Sequence, residues 1–92
     1  MGLLQRVIPD VLANGHYALG ELKESEAILR EAAGRHPDSV VVLNNLAQIL
    51  SDQNRDEEAL ALIERAVALG GPLADAARDT RELILRRMKV SN

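Results

Sequence analysis

Apolar residues recur every three to four positions along most of this chain. Leu22, Ala27 (or Ile28), Leu29, Ala32 and Ala33 follow that step, as do Leu43, Leu46, Ala47 and Leu50. Ala59, Leu62, Ile63, Ala66 and Leu69 repeat it. This is the spacing of one helix face. No stretch alternates with period two long enough to make a strand, and the β-leaning run Ser39–Leu43 joins directly onto a helical pattern. Gly20, Pro37-Asp38, Asn54 and Gly70-Gly71-Pro72 punctuate the chain. The pattern between these breaks predicts five helices, over 9–19, 22–35, 39–53, 56–69 and 72–89.

The predicted ends have physical reasons. Gly20 and Asn54 tolerate the left-handed conformation that closes a helix. Asp38 or Ser39 suits the N-cap of the third predicted helix, and Asp56 that of the fourth. Pro72 fits the first turn of the fifth, with Asp75 at its positive end and Arg86, Arg87 and Lys89 toward its negative end. Connections of a few residues make neighbouring helices antiparallel.

The pattern also repeats. Shifted by 34 residues, the chain matches itself without a gap. Val7 falls on Val41, Leu12 on Leu46, Ala13 on Ala47, Glu24 on Glu58, Ala27 on Ala61, and Ala32 on Ala66. Gly20 falls on Asn54, one left-handed-tolerant residue on another. Each unit is two helices, and such a period marks an array in which neighbouring units bury one another's apolar faces.

Composition narrows the core. There is no Phe or Trp and a single Tyr, while 47% of residues are hydrophobic and 27% charged. The core must be built from Leu, Ile, Val and Ala, in a single small domain. A net charge of -3 argues against a nucleic-acid or anionic-membrane surface. The absence of cysteine excludes disulfides and thiol chemistry. No apolar run reaches membrane-spanning length, and the N-terminal residues lack a secretory signal's apolar region, so cytoplasmic residence is expected.

Leu12-Ala13, Gly20, Ser25, Leu29, Ala32 and Pro37 sit at the characteristic positions of a tetratricopeptide repeat, which this chain resembles. Leu43, Leu46, Ala47, Leu50, Ala59, Ile63 and Ala66 occupy the matching places of a second repeat. Pro9, His16 and Asn54 depart from the family pattern, and the second terminal proline, Pro72, comes one residue late. The resemblance implies an all-α fold of antiparallel helix-turn-helix repeats stacked in a short right-handed superhelix. One domain over 1–92 would contain repeat one at 6–39, repeat two at 40–73 and a capping helix at 74–90. In the capping helix, Ala77 and Ile84 take core positions and Arg78, Arg81, Glu82 and Arg86 wet the outside.

The resemblance also implies a concave groove that receives a peptide or a partner's helix. Carrying over the family's groove positions assigns Asp10, Asn14 and Tyr17 in repeat one. It assigns Val41, Asn44, Asn45, Gln48 and Asp52 in repeat two, and Asp75, Asp79 and Leu85 in the capping helix. Tyr17 is either a groove contact or packed between helices. Leu85 is a ligand contact, a self-association contact or a tolerated exposed leucine. Asn44 and Asn45 fall mid-helix, where an amide is unfavourable for the helix yet able to pair with a peptide backbone. One subfamily clamps acidic tails with asparagines and cations. Asn14 and Asn45 match its asparagines, but Asp10, Asp75 and Asp79 stand at its cationic places. The resemblance therefore implies a neutral or basic peptide, unless the aspartates only serve helix starts and solubility.

Nothing in the residues suggests catalysis. His16 and His36 lack metal-ligand companions, the carboxylates fall mostly on solvated faces, and no glycine-rich loop ends in the Lys-Ser that holds phosphate. The expectation is a non-enzymatic interaction module without cofactor or metal, whose protein or peptide partner is unspecified. The alternative is a self-association element or part of a larger scaffold. Two and a half repeats bury little, so a homodimer, through an end of the array or through helix exchange, is also expected.

Overall fold

The computed structural model describes residues 19–91. They form four helices, α1 (Leu19–Arg35), α2 (Val40–Asp52), α3 (Asp56–Leu69) and α4 (Ala74–Ser91). There is no strand among the described residues. The predicted helices over 22–35, 39–53, 56–69 and 72–89 are therefore present within a few residues at each end. The predicted helix over 9–19 lies outside the described residues, save for Leu19.

The helix boundaries confirm some end signals and correct others. Ser39 is the N-cap of α2, and its hydroxyl accepts from the Val42 amide at 3.3 Å. That cap holds a β-branched run, Val40–Val42, in helical form. Asn54 has a φ of 64°, as a left-handed closing residue should. Its N–H donates to the Ser51 carbonyl at 2.9 Å, and the next N–H, of Arg55, reaches back to Leu50 at 2.9 Å. This double closure satisfies the last carbonyls of α2 and turns the chain into α3.

Gly20 instead lies inside the first turn of α1, not in a left-handed turn. Asp56 is the first residue of α3 rather than its cap, which is Arg55 without a side-chain bond. Its carboxylate is taken by Ser51, whose hydroxyl donates to Oδ1 at 2.6 Å. Pro72 precedes α4 rather than opening it, because Gly70 and Gly71, with φ of 72° and 83°, spend two more residues on the turn.

The core runs along the axis of the stack. Leu22 and Leu29 of α1 meet Leu43, Leu46, Ile49 and Leu50 of α2. Ala59, Ile63 and Ala66 of α3 continue it, and Ala77 and Ile84 of α4 close it. Burial obeys the 34-residue register: Ser25 and Ala59, Leu29 and Ile63, Leu43 and Ala77, and Leu50 and Ile84 are all buried pairs. Alanine at Ala47, Ala59 and Ala66, each 0% exposed, lets helix axes approach where a longer side chain would separate them.

One carboxylate departs from the solvated role expected for most of them. Glu26 of α1 is buried, and it accepts hydrogen bonds from Arg30 at 2.7 Å, Arg55 at 2.8 Å and Gln53 at 3.0 Å. The same two arginines also hold the exposed Glu58, at 2.6 and 2.8 Å. Burial pushes the Glu26 carboxyl upward, but its three donors outweigh that and hold it below the ordinary carboxylate range. Glu58 is held low as well, first by Arg30 and then by Arg55. The network ties α1 to the α2–α3 turn across 27 to 29 residues of sequence.

Candidate groove between α2 and α4

α2 and α4 lie side by side in the stack, and a seam runs between them. Three hollows follow it. The first, about 70 Å³, is lined by Val40, Val41, Asn44 and Asn45 of α2, by Leu73 and by Ala76 of α4. The second, about 180 Å³, lies among Gln48, Ser51, Asp52, Thr80, Leu83, Ile84 and Arg87. The third, about 410 Å³, opens at the far end between the α2–α3 turn and Arg86, Arg87 and Val90. On α4 five of the lining residues, Ala76, Thr80, Leu83, Arg87 and Val90, step by three and four. That periodicity keeps one stripe of a helix turned to its neighbour.

The exposed apolar side chains gather here. Of the six large ones among the described residues, Val41, Leu69, Leu73, Leu83, Leu85 and Val90, four line these hollows. Polar groups alternate with them. Gln48 crosses the seam and donates to the Thr80 hydroxyl at 3.2 Å. Arg87 crosses it again, donating to Asp52 and to the Ser51 hydroxyl at 2.9 Å each. At the first hollow the carbonyl oxygen of Asn44 is buried and has no hydrogen-bond partner among the described residues. A buried acceptor without a donor costs desolvation free energy, on the order of 1–3 kcal/mol.

Five of the residues assigned from sequence are thus brought together: Val41, Asn44, Asn45, Gln48 and Asp52. Asp10, Asn14 and Tyr17 lie outside the described residues. Asp75, Asp79 and Leu85 are on α4 but line none of the three hollows. Leu85 is two residues from Leu83, about 200° around a helix, so the two cannot share a side. It is one turn beyond Arg81, which reaches Glu64 of α3 at 3.3 Å, and so lies on the side of α4 away from the seam. Leu83, not Leu85, lines the seam between α2 and α4. Asp75 is almost fully exposed and paired to Arg78 at 2.6 Å. Asp52, assigned to the groove, is nearly buried against Arg87.

Leu73, Ala76, Thr80, Leu83 and Arg87 were not among the residues expected in the groove. Their three-and-four spacing is visible in the sequence, but so is that of the neighbouring stripe Ala77, Ile84 and Met88. Only the rotation of α4 about its axis decides which stripe enters the core and which borders α2. Among the described residues no group of three or more His, Asp or Glu side chains is placed to hold a metal ion. No described helix is long and apolar enough to cross a membrane.

Stacked antiparallel helix pairs with a two-helix groove on one side define a helical-repeat scaffold. Residues 16–78 match the family model described as tetratricopeptide repeat, which covers α1, α2, α3 and the start of α4. The chain belongs to the tetratricopeptide repeat family. Repeats of this family generally mediate protein–protein interaction. Comparison with curated proteins and with solved structures gives no match.

Proposed function

We propose that this chain is a non-enzymatic binding module whose α2–α4 seam receives a neutral or basic peptide segment. The observation that carries this reading is the concentration of exposed apolar side chains along one polar-punctuated seam. Apolar side chains of the ligand would enter the hollows, and a backbone N–H would donate to Asn44 Oδ1. Backbone pairing suits a site that accepts several sequences, because it ignores the ligand's side chains.

The charge preference has a narrower basis than the sequence alone implies. Asp52 and Asp75 have arginine partners, which cancel much of their field. Asp79 and Glu82 remain on the exposed side of α4 and favour a basic ligand end over an acidic one. The test is a titration of the protein with two peptides that share an apolar core and carry either lysines or glutamates at the end. The lysine peptide is expected to bind more tightly, with a difference that shrinks as salt is raised. Tighter binding of the glutamate peptide would overturn the preference. Undiminished binding of both by Asn44→Ala/Asn45→Ala would overturn the site.

A further inference from the structure

Ala76, Asp79, Leu83, Arg86 and Val90 step by three and four residues along α4, and all five are exposed. Leu83 is 37% exposed and Val90 87%. At 1.5 Å per residue the stripe is roughly 21 Å long. Among the described residues neither Asp79 nor Arg86 has an ion-pair partner, although Asp75, Arg78, Arg81 and Arg87 on the same helix all do. A partner's helix laid along this stripe would meet apolar, acidic, apolar, basic, apolar.

Reversed, the stripe is its own complement. Turned end for end about Leu83, Ala76 falls on Val90, Leu83 on Leu83, and Asp79 within one residue, about 1.5 Å along the axis, of Arg86. We propose that two copies of this chain associate through α4, antiparallel about a two-fold axis at Leu83. The Asp79–Arg86 pair then forms twice in the symmetric contact, once per charge, and the three apolar positions close on one another. A two-fold contact requires this self-complementarity. An unrelated helix would have to carry the same order by coincidence, whereas the second copy carries it necessarily. The period of 3.5 residues is that of helices packed lengthwise.

The inference does not rest on the peptide reading. Leu83 and Val90 belong to both surfaces, however, so a second α4 on the stripe covers one wall of the seam. Dimer and peptide complex then exclude each other, and peptide binding weakens as protein concentration rises.

Sedimentation equilibrium of the full chain, from about 5 to about 500 µM, tests the proposal, since a dimer forms by mass action. The mass is expected to climb from the monomer's 10.0 kDa toward twice that. Leu83→Glu, which sets two carboxylates on the axis, is expected to remain monomeric throughout. Asp79→Arg and Arg86→Asp each turn two attractions into repulsions and are expected to weaken association by roughly tenfold or more. Mixed in equal amounts, these two variants recreate both opposite-charge pairs and are expected to associate at least as tightly as wild type. Thermal melts check that each variant is folded, and Val90→Glu replaces Leu83→Glu if the latter is not. A wild-type mass that stays at the monomer value would overturn the proposal. So would a Leu83→Glu protein that dimerises like wild type, or a mixture no tighter than its separate components.

Discussion

Replacing Glu26 by alanine is expected to destabilise the protein by about 1–2 kcal/mol, although the residue is a carboxylate on a surface helix. Glu26 accepts from Arg30, Arg55 and Gln53 and is 9% exposed. Three hydrogen bonds, each with a net value of roughly 0.5–1.5 kcal/mol, set the upper scale. Two effects reduce it. The alanine variant no longer buries a carboxylate. The arginines, with side chains 43% and 39% exposed, keep Glu58 and return to water. The penalty of about 3–5 kcal/mol for an orphaned buried charge therefore does not apply. For a domain of this size the loss corresponds to a fall in Tm of about 4–16 °C.

The assay is urea unfolding followed by circular dichroism, with Glu31→Ala as the control. Glu31 and Arg35 form an exposed pair at 3.1 Å, and its loss should cost no more than about 0.5 kcal/mol. The pH dependence has a definite sign. A carboxyl held low in the folded state stabilises it fully above the unfolded value, about 4.3 for Glu. That contribution disappears as pH falls through the folded value. The gap between wild type and Glu26→Ala should accordingly be constant near pH 7 and narrow below about pH 4. A Glu26→Ala cost no larger than that of Glu31→Ala, or a gap unchanged in acid, would refute the reasoning.

Two further substitutions probe the turn after α2 and the docking of α4. Asn54 sits at a φ of 64°, so Asn54→Gly should be neutral or slightly stabilising. Asn54→Val should cost about 1–2 kcal/mol in chemical denaturation, and an equal effect of the two would contradict the turn geometry. Ile84 is 1% exposed and is the largest α4 side chain in the core. Ile84→Ala should cost about 2–4 kcal/mol in the same assay and increase amide exchange in α4 first. Uniform loss of protection across α1 to α4 would show instead that α4 does not open on its own.

Much of the fold was legible because it depends on local geometry. The three-to-four step is imposed by the backbone, so Leu43, Leu46, Ala47 and Leu50 could be placed on one face without knowing what they touch. The repeat register carried that reading further, since Leu50 predicts the burial of Ile84 one unit later. Left-handed closure at Asn54 was legible for the same reason, being a property of one residue. Gly20 was misread because glycine permits a turn without requiring one. The groove was legible only in its α2 wall. The α4 wall required choosing between adjacent stripes of similar spacing, and the family register pointed to Leu85 where Leu83 lines the seam.

The sequence by itself determined the helices, the 34-residue repeat and an aliphatic core in which small residues stand where axes come close. These follow from spacing along the chain and from side-chain volume. Only the tertiary structure decided that Glu26 is held by Arg55, that Arg87 claims Asp52, and that the Asn44 carbonyl has no donor among the described residues. Each of these depends on the rotation and crossing of helices whose contacting residues are far apart in the chain. Charge type can be read from a residue, but whether that charge is cancelled depends on distances of a few ångströms that packing alone sets.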